Sequence, residues 1–208
     1  MQRFGRDSKD AELGTSFCEF TVSFSSWLLI AACFLIVAGC GDSRSRRISA
    51  AAELRRFANE FRANSADLTP LNAIINVLEH GEHTFDRVYA CGELQRLGSI
   101  ATPAVPALVR AMDCGDPYLE RESPRAIGAI GEGARDAVPA LIENLRKEKD
   151  DAGWFSAEAL GDIGLPAVVA IPELEAAAAS NDPMLAESAR LALVRLKSIQ
   201  NESMAPVK

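Results

Sequence analysis

Sliding the chain along itself by 33 residues brings three identical columns into line: Gly98, Gly131 and Gly164; Pro106, Pro139 and Pro172; Leu108, Leu141 and Leu174. The neighbouring columns keep their character: Leu94, Ile127 and Leu160; Leu97, Ile130 and Ile163; Ala104, Ala137 and Ala170; Val105, Val138 and Ile171. A period of this length, sustained without a gap, points to a stack of like units, because each unit can bury its apolar face only against its neighbours.

The column chemistry fixes what a unit is. Residues 94 and 97, and their counterparts, are three apart and share one helical face. The glycine that follows can take a positive φ without a Cβ clash and so stops a first helix. The proline eight residues later suits the first turn of a second helix, where its missing N–H has no partner to lose. Each unit therefore reads as helix, tight turn, helix, and the fold as an all-α solenoid of antiparallel helix pairs over residues 84–198. Asp116-Pro117 and Asp182-Pro183 read as an Asp N-cap followed by Pro at the first helical position. Leu185 to Ser198 supplies a capping half repeat, with Leu193 and Leu196 one period after Leu160 and Ile163.

Upstream, residues 49–83 read as two helices outside the pattern, Ala50 to Ala63 and Thr69 to His80. The second has Thr69 as N-cap, Pro70 at the first position and Gly81 at its stop. Residues 199–208 read as a disordered tail. Aromatics make up only 6% of the chain, and β-branched runs are scarce outside residues 20–41, which favours helix over sheet. Beyond residue 40, 19 basic and 25 acidic side chains leave a net charge of −6, which argues against nucleic acid as a partner.

The N-terminal region is different material. Trp27 to Gly39 is a 13-residue apolar run ending in small residues before Cys40. That length suits the core of a signal peptide, making residues 1–39 a leader and residues 40–48, with Ser43-Arg-Ser-Arg-Arg47, a polar tether. Val37-Ala38-Gly39-Cys40 resembles the bacterial lipobox, which implies lipid attachment at the Cys40 thiol, cleavage ahead of it, and a membrane-anchored lipoprotein facing out of the cytoplasm. The alternative is a single-pass anchor: Phe20 to Gly41 gives 22 uncharged residues, enough for about 30 Å of hydrocarbon. Arg44, Arg46 and Arg47 would then place the C-terminal part in the cytoplasm by the positive-inside rule.

The units Leu97 to Leu108 (LGSIATPAVPAL) and Ile130 to Leu141 (IGEGARDAVPAL) resemble the short HEAT-like repeats of bilin lyase families and of many bacterial proteins with other roles. The resemblance covers just over half of the chain. It specifies the fold more than the function. A solenoid offers an extended concave face built from its second helices, and no catalytic motif stands out, so the chain is expected to be a scaffold that binds another protein there, without catalysis and without a cofactor. Arg110, Glu143, Asn144 and Lys147 are the outward-looking candidates there, differing from unit to unit. The rivals are a chromophore lyase, which the resemblance permits, and a purely structural spacer.

Other constellations carry less. His80-Gly-Glu-His83 offers zinc-type ligands, but Gly81 interrupts the helix that would align them and no third ligand is fixed, so no metal site is assigned. Cys91 and Cys114 lie outside the repeat columns and suit either one disulfide or two unpaired thiols, with no base to make either catalytic. Trp154 and Phe155, at the start of the third unit, are expected to pack between units.

Overall fold

A computed structural model describes residues 43–147 and 150–204. Among them are nine α-helices: α1 (Ser43–Ala63), α2 (Thr69–His80), α3 (Thr84–Leu97), α4 (Val105–Met112), α5 (Pro117–Ile130), α6 (Val138–Arg146), α7 (Asp150–Ile163), α8 (Ile171–Ala177) and α9 (Pro183–Met204). Helices α1, α3, α5, α7 and α9 pack side by side as one row; α2, α4, α6 and α8 line up against them as a second. The fold is an α-solenoid.

The glycine column does what its chemistry requires. Gly98, Gly131 and Gly164 have φ of 61°, 71° and 79°, with ψ near −137°, a region closed to residues with a Cβ. The link to the second helix is not a tight turn, however. It is a stretch of 3₁₀ helix, over Gly98–Ala104, Gly131–Ala137 and Leu165–Ala170, that leads straight into the proline-bearing first turn of α4, α6 and α8. Two alanines per link, at 101 and 104, 134 and 137, and 167 and 170, are fully buried. Small side chains there let the link sit on the core.

Leu94, Ile127, Leu160, Leu108, Leu141 and Leu174 are all fully buried, forming one continuous core with Phe61, Leu71, Ile74 and Leu78 of the N-terminal pair. Asp116 and Asp182 cap as expected, each accepting from the N–H two residues on, Tyr118 at 3.0 Å and Met184 at 2.9 Å. They also tie units together: Asp116 accepts from the Thr84 hydroxyl at 2.7 Å, and Asp182 from the Trp154 indole N–H at 2.6 Å.

Three boundaries differ from the sequence reading. The described part of the polar tether, residues 43–48, is helical and belongs to α1, whose buried face, Leu54, Ala58 and Phe61, begins further along the helix. At α2 the boundary moves back: Thr69 is already helical, Leu68 stands at the N-cap position without a side-chain cap, and the Asp67 carboxylate accepts the Thr69 N–H at 2.9 Å. The tail assigned to 199–208 is helical to Met204, because the 22-residue α9 runs on past Ser198, the end of the half repeat.

Row contacts vary along the stack. A Cβ on Gly128 of α5 would lie 3.0 Å from the Cα of Ala159 on α7, and one on Gly161 of α7 would lie 3.0 Å from the Cα of Ala192 on α9. These first helices touch backbone to backbone. In the same columns, Gln95 stands for the glycine and Glu93 for the alanine in α3, while Val194 takes the glycine position in α9. Glu93 is 5% exposed and faces Arg55 of α1 at 3.5 Å and Arg96 at 3.6 Å. Val194 is 69% exposed.

Candidate protein-interaction surface

The second-helix row is stitched by ion pairs that run between units. Arg110 of α4 pairs with Glu79 of α2, Lys147 Nζ lies 3.0 Å from Asp113, and Arg146 Nη2 lies 2.6 Å from Glu173 of α8. The hydrogen bond to Asp113 raises the Lys147 pKa. Three of the four sequence candidates, Arg110, Glu143 and Lys147, are thus exposed on this row, with Glu143 only loosely near Arg146 at 3.9 Å. Asn144 is a correction. It is buried, and its amide donates to the Ser156 hydroxyl at 2.9 Å, joining α6 to α7. Its repeat counterparts Ala111 and Ala177 are small and apolar, a signal that the position faces inward.

The opposite, first-helix row has another character. Phe85 and Tyr89 of α3, Tyr118 of α5, and Met184 and Leu191 of α9 are all at least 40% exposed. Phe85, Tyr118 and Met184 share one repeat column, at the first turn of α3, α5 and α9, with Asp151 in that column on α7. Phe85 and Tyr89, one helical turn apart, have ring centroids 6.3 Å apart. Phe155 of α7 is half-buried, with the guanidinium of Arg121 5.7 Å and that of Arg125 5.5 Å from its ring centroid. Trp154 is half-buried against the core, so the expected packing between units falls to Trp154, whereas Phe155 lies under arginines at the surface. Sequence reasoning missed Phe85, Tyr89 and Tyr118, although the 85–118–184 column was there to be read.

Aromatic side chains carry large contact area at low entropic cost, and tyrosine and arginine are enriched where interfaces are strongest. A row of exposed aromatics interleaved with arginine can hold a protein surface. The ion-paired row can do so only by competing with its own partners.

The titratable groups offer less chemistry. Burial pushes the Cys91 thiol up to about 12, and its Sγ sits 3.8 Å from Ser123 Oγ, so it stays protonated and unreactive at neutral pH. Cys91 and Cys114 are both free thiols, the second exposed. Among the described residues no three His, Cys, Asp or Glu side chains gather where a metal ion could be held, and no helix is long and apolar enough to cross a membrane. Cys40 and the apolar run before it lie outside the described residues.

Paired antiparallel helices, stacked in two rows at a fixed period, define a repeat class, and the sequence agrees. Residues 105–194 match the family of HEAT repeats. The HEAT match begins at α4 and ends in α9, so it takes in the two interfaces where first helices touch backbone to backbone. A crystal structure of an engineered protein, a Northeast Structural Genomics Consortium target, superposes with a TM-score of 0.57 at 20% identity, over 77% of this chain and 76% of that one. At that identity the likeness speaks for the fold alone. No curated protein matches the sequence.

Proposed function

We propose that the protein is a membrane-tethered HEAT-like scaffold that holds another protein and catalyses nothing itself. The observation that carries this reading is the aromatic and arginine surface of the first helices, with Tyr118 and Arg125 exposed and Phe155 half-buried beneath Arg121 and Arg125, set on a repeat frame. Arg110, Glu143 and Lys147 flank the other row as a charged secondary edge. The tether is the apolar run ending at Cys40, by lipid on that thiol or by a spanning segment.

A crosslinking pull-down from native membranes tests the binding claim. The wild-type chain is expected to bring down a reproducible partner, and Tyr118→Ala with Phe155→Ala to lose it, each by about 2 kcal/mol of affinity. Failure to recover any reproducible partner sinks the scaffold reading, and a phenotype indifferent to both substitutions favours a plain spacer. A covalent adduct formed with a bilin and an acceptor protein would instead restore the lyase. For the tether, mass spectrometry of the mature N-terminus decides: a lipoprotein begins at an acylated Cys40, and Cys40→Ser leaves an uncleaved precursor.

A further inference from the structure

Charge is distributed unevenly along the chain. Helix α1 carries Arg44, Arg46, Arg47, Arg55, Arg56 and Arg62 against Glu53 and Glu60, a net of +4. Residues 64–208 carry 13 basic and 22 acidic side chains, a net of −9. One cationic helix therefore closes an anionic solenoid, at the end where the chain enters from its uncharged run.

Arg55 and Arg62 of α1 reach back to Glu93 and to the Arg96 carbonyl, while others face outward. Arg46, Arg47 and Arg56 are exposed, and Ile48 beside them is 64% exposed. Arg47 lies 5.2 Å from the ring centroid of Phe85, so the aromatic edge of Phe85 and Tyr89 adjoins this face. Three arginines fall among the first five residues of α1, with no acidic residue in its first turn.

From these features we infer that the outer face of α1, with the Phe85 edge, docks on the anionic headgroups of a phospholipid membrane. The inference rests on the membrane tether proposed above for the choice of occupant. The uncharged run ends at Gly41, two residues before α1 begins, so α1 follows it directly in the sequence. Basic residues next to a membrane segment meet the negative surface potential, and exposed aromatic and aliphatic side chains sit well at the headgroup level. The −9 remainder is repelled by the same potential, which stands the solenoid away from the surface with its Tyr118–Phe155 face open.

The test uses the full chain with phosphatidylcholine vesicles, alone or with phosphatidylglycerol added, read by flotation and by hydrogen exchange. The expected result is flotation with both compositions, slower exchange over residues 43–63 only with the anionic one, and loss of that protection in 0.5 M salt, where the screening length falls to a few ångströms. Arg46→Glu, Arg47→Glu and Arg56→Glu together should abolish the protection while flotation persists; Arg55 is left in place because it faces Glu93. Flotation with both vesicles but equal exchange overturns the docking and leaves the tether standing, with the face free for a protein. Salt-sensitive flotation with anionic vesicles alone upholds the docking and defeats the tether. Flotation with neither overturns both.

Discussion

The interfaces inside the stack and the two that bound it are built from the same columns filled differently. Between α5 and α7, and between α7 and α9, a glycine on one helix meets an alanine on the next at backbone distance. Against α1, the alanine column carries Glu93, held under Arg55 and Arg96; on the far side of α9, the glycine column carries Val194 in solvent. Where first helices touch backbone to backbone the positions lack side-chain volume; in α3 both columns are filled, by Gln95 and Glu93, and on the far side of α9 Val194 meets solvent. A repeat's consensus is therefore a property of its neighbours as much as of itself.

The strongest way to break that contrast is to empty one core column at an inner and at an outer position. Leu160→Ala, at a fully buried site, should cost about 2–5 kcal/mol, whereas Leu193→Ala in half-buried α9 should cost clearly less, both read by denaturant unfolding. Equal losses would show that α9 is packed as tightly as the interior. Next in size is Gly161→Val, which brings the terminal residue inside. Its Cβ would press on the Cα of Ala192, for about 1–3 kcal/mol of destabilisation.

Glu93→Ala, which gives α3 the residue its column has elsewhere, should cost about 1 kcal/mol or less. It removes a desolvated carboxylate and strands only the exposed arginine heads of Arg55 and Arg96. A loss of several kcal/mol would make that pair the principal clamp of α1. Smallest is Val194→Ala, expected within about 0.5 kcal/mol, as for an ordinary surface substitution.

Acid should act on the caps shared between units. Burial alone raises the Asp116 pKa, but the Thr84 hydroxyl and the N–H groups of Tyr118 and Leu119 outweigh it, so the carboxyl sits below 3.8. Asp182 is lowered first by the Trp154 indole and then by the N–H groups of Met184 and Leu185. The unfolded chain then takes up these protons first: their contribution is full above that value and is lost as pH falls through it. Thermal melts should therefore be level down to about pH 5 and fall below it, and Asp116→Asn with Asp182→Asn should flatten the acid limb.

Most of the frame could be read from the sequence, because glycine at positive φ, proline in a first turn and buried leucine each have few alternatives. The caps at Asp116 and Asp182 were legible for the same reason. The links were not: a 3₁₀ segment and a tight turn can share the same glycine and proline, and only the doubly buried alanines separate them. Helix at 43–48 was hard to read because the segment is polar and Arg46, Arg47 and Ile48 are exposed; the buried anchors of α1, Leu54, Ala58 and Phe61, lie further along. Asn144 looked like surface because it is polar; its partner Ser156 is 12 residues away on another helix. The exposed aromatics went unread for the opposite reason, since large apolar residues at a regular spacing suggest core until burial is known.

The valine at 194 has a meaning for assembly. A stack whose last face matched its interior faces would accept another copy head to tail, and that contact, not closing on itself, would propagate into a fibre. Val194 occupies the space a following helix would need, and Arg190 stands where Pro124 and Ala157 are buried, so the end of one chain is a poor template for the start of the next. Val194 and Arg190 together make that face unlike the interior faces of the stack.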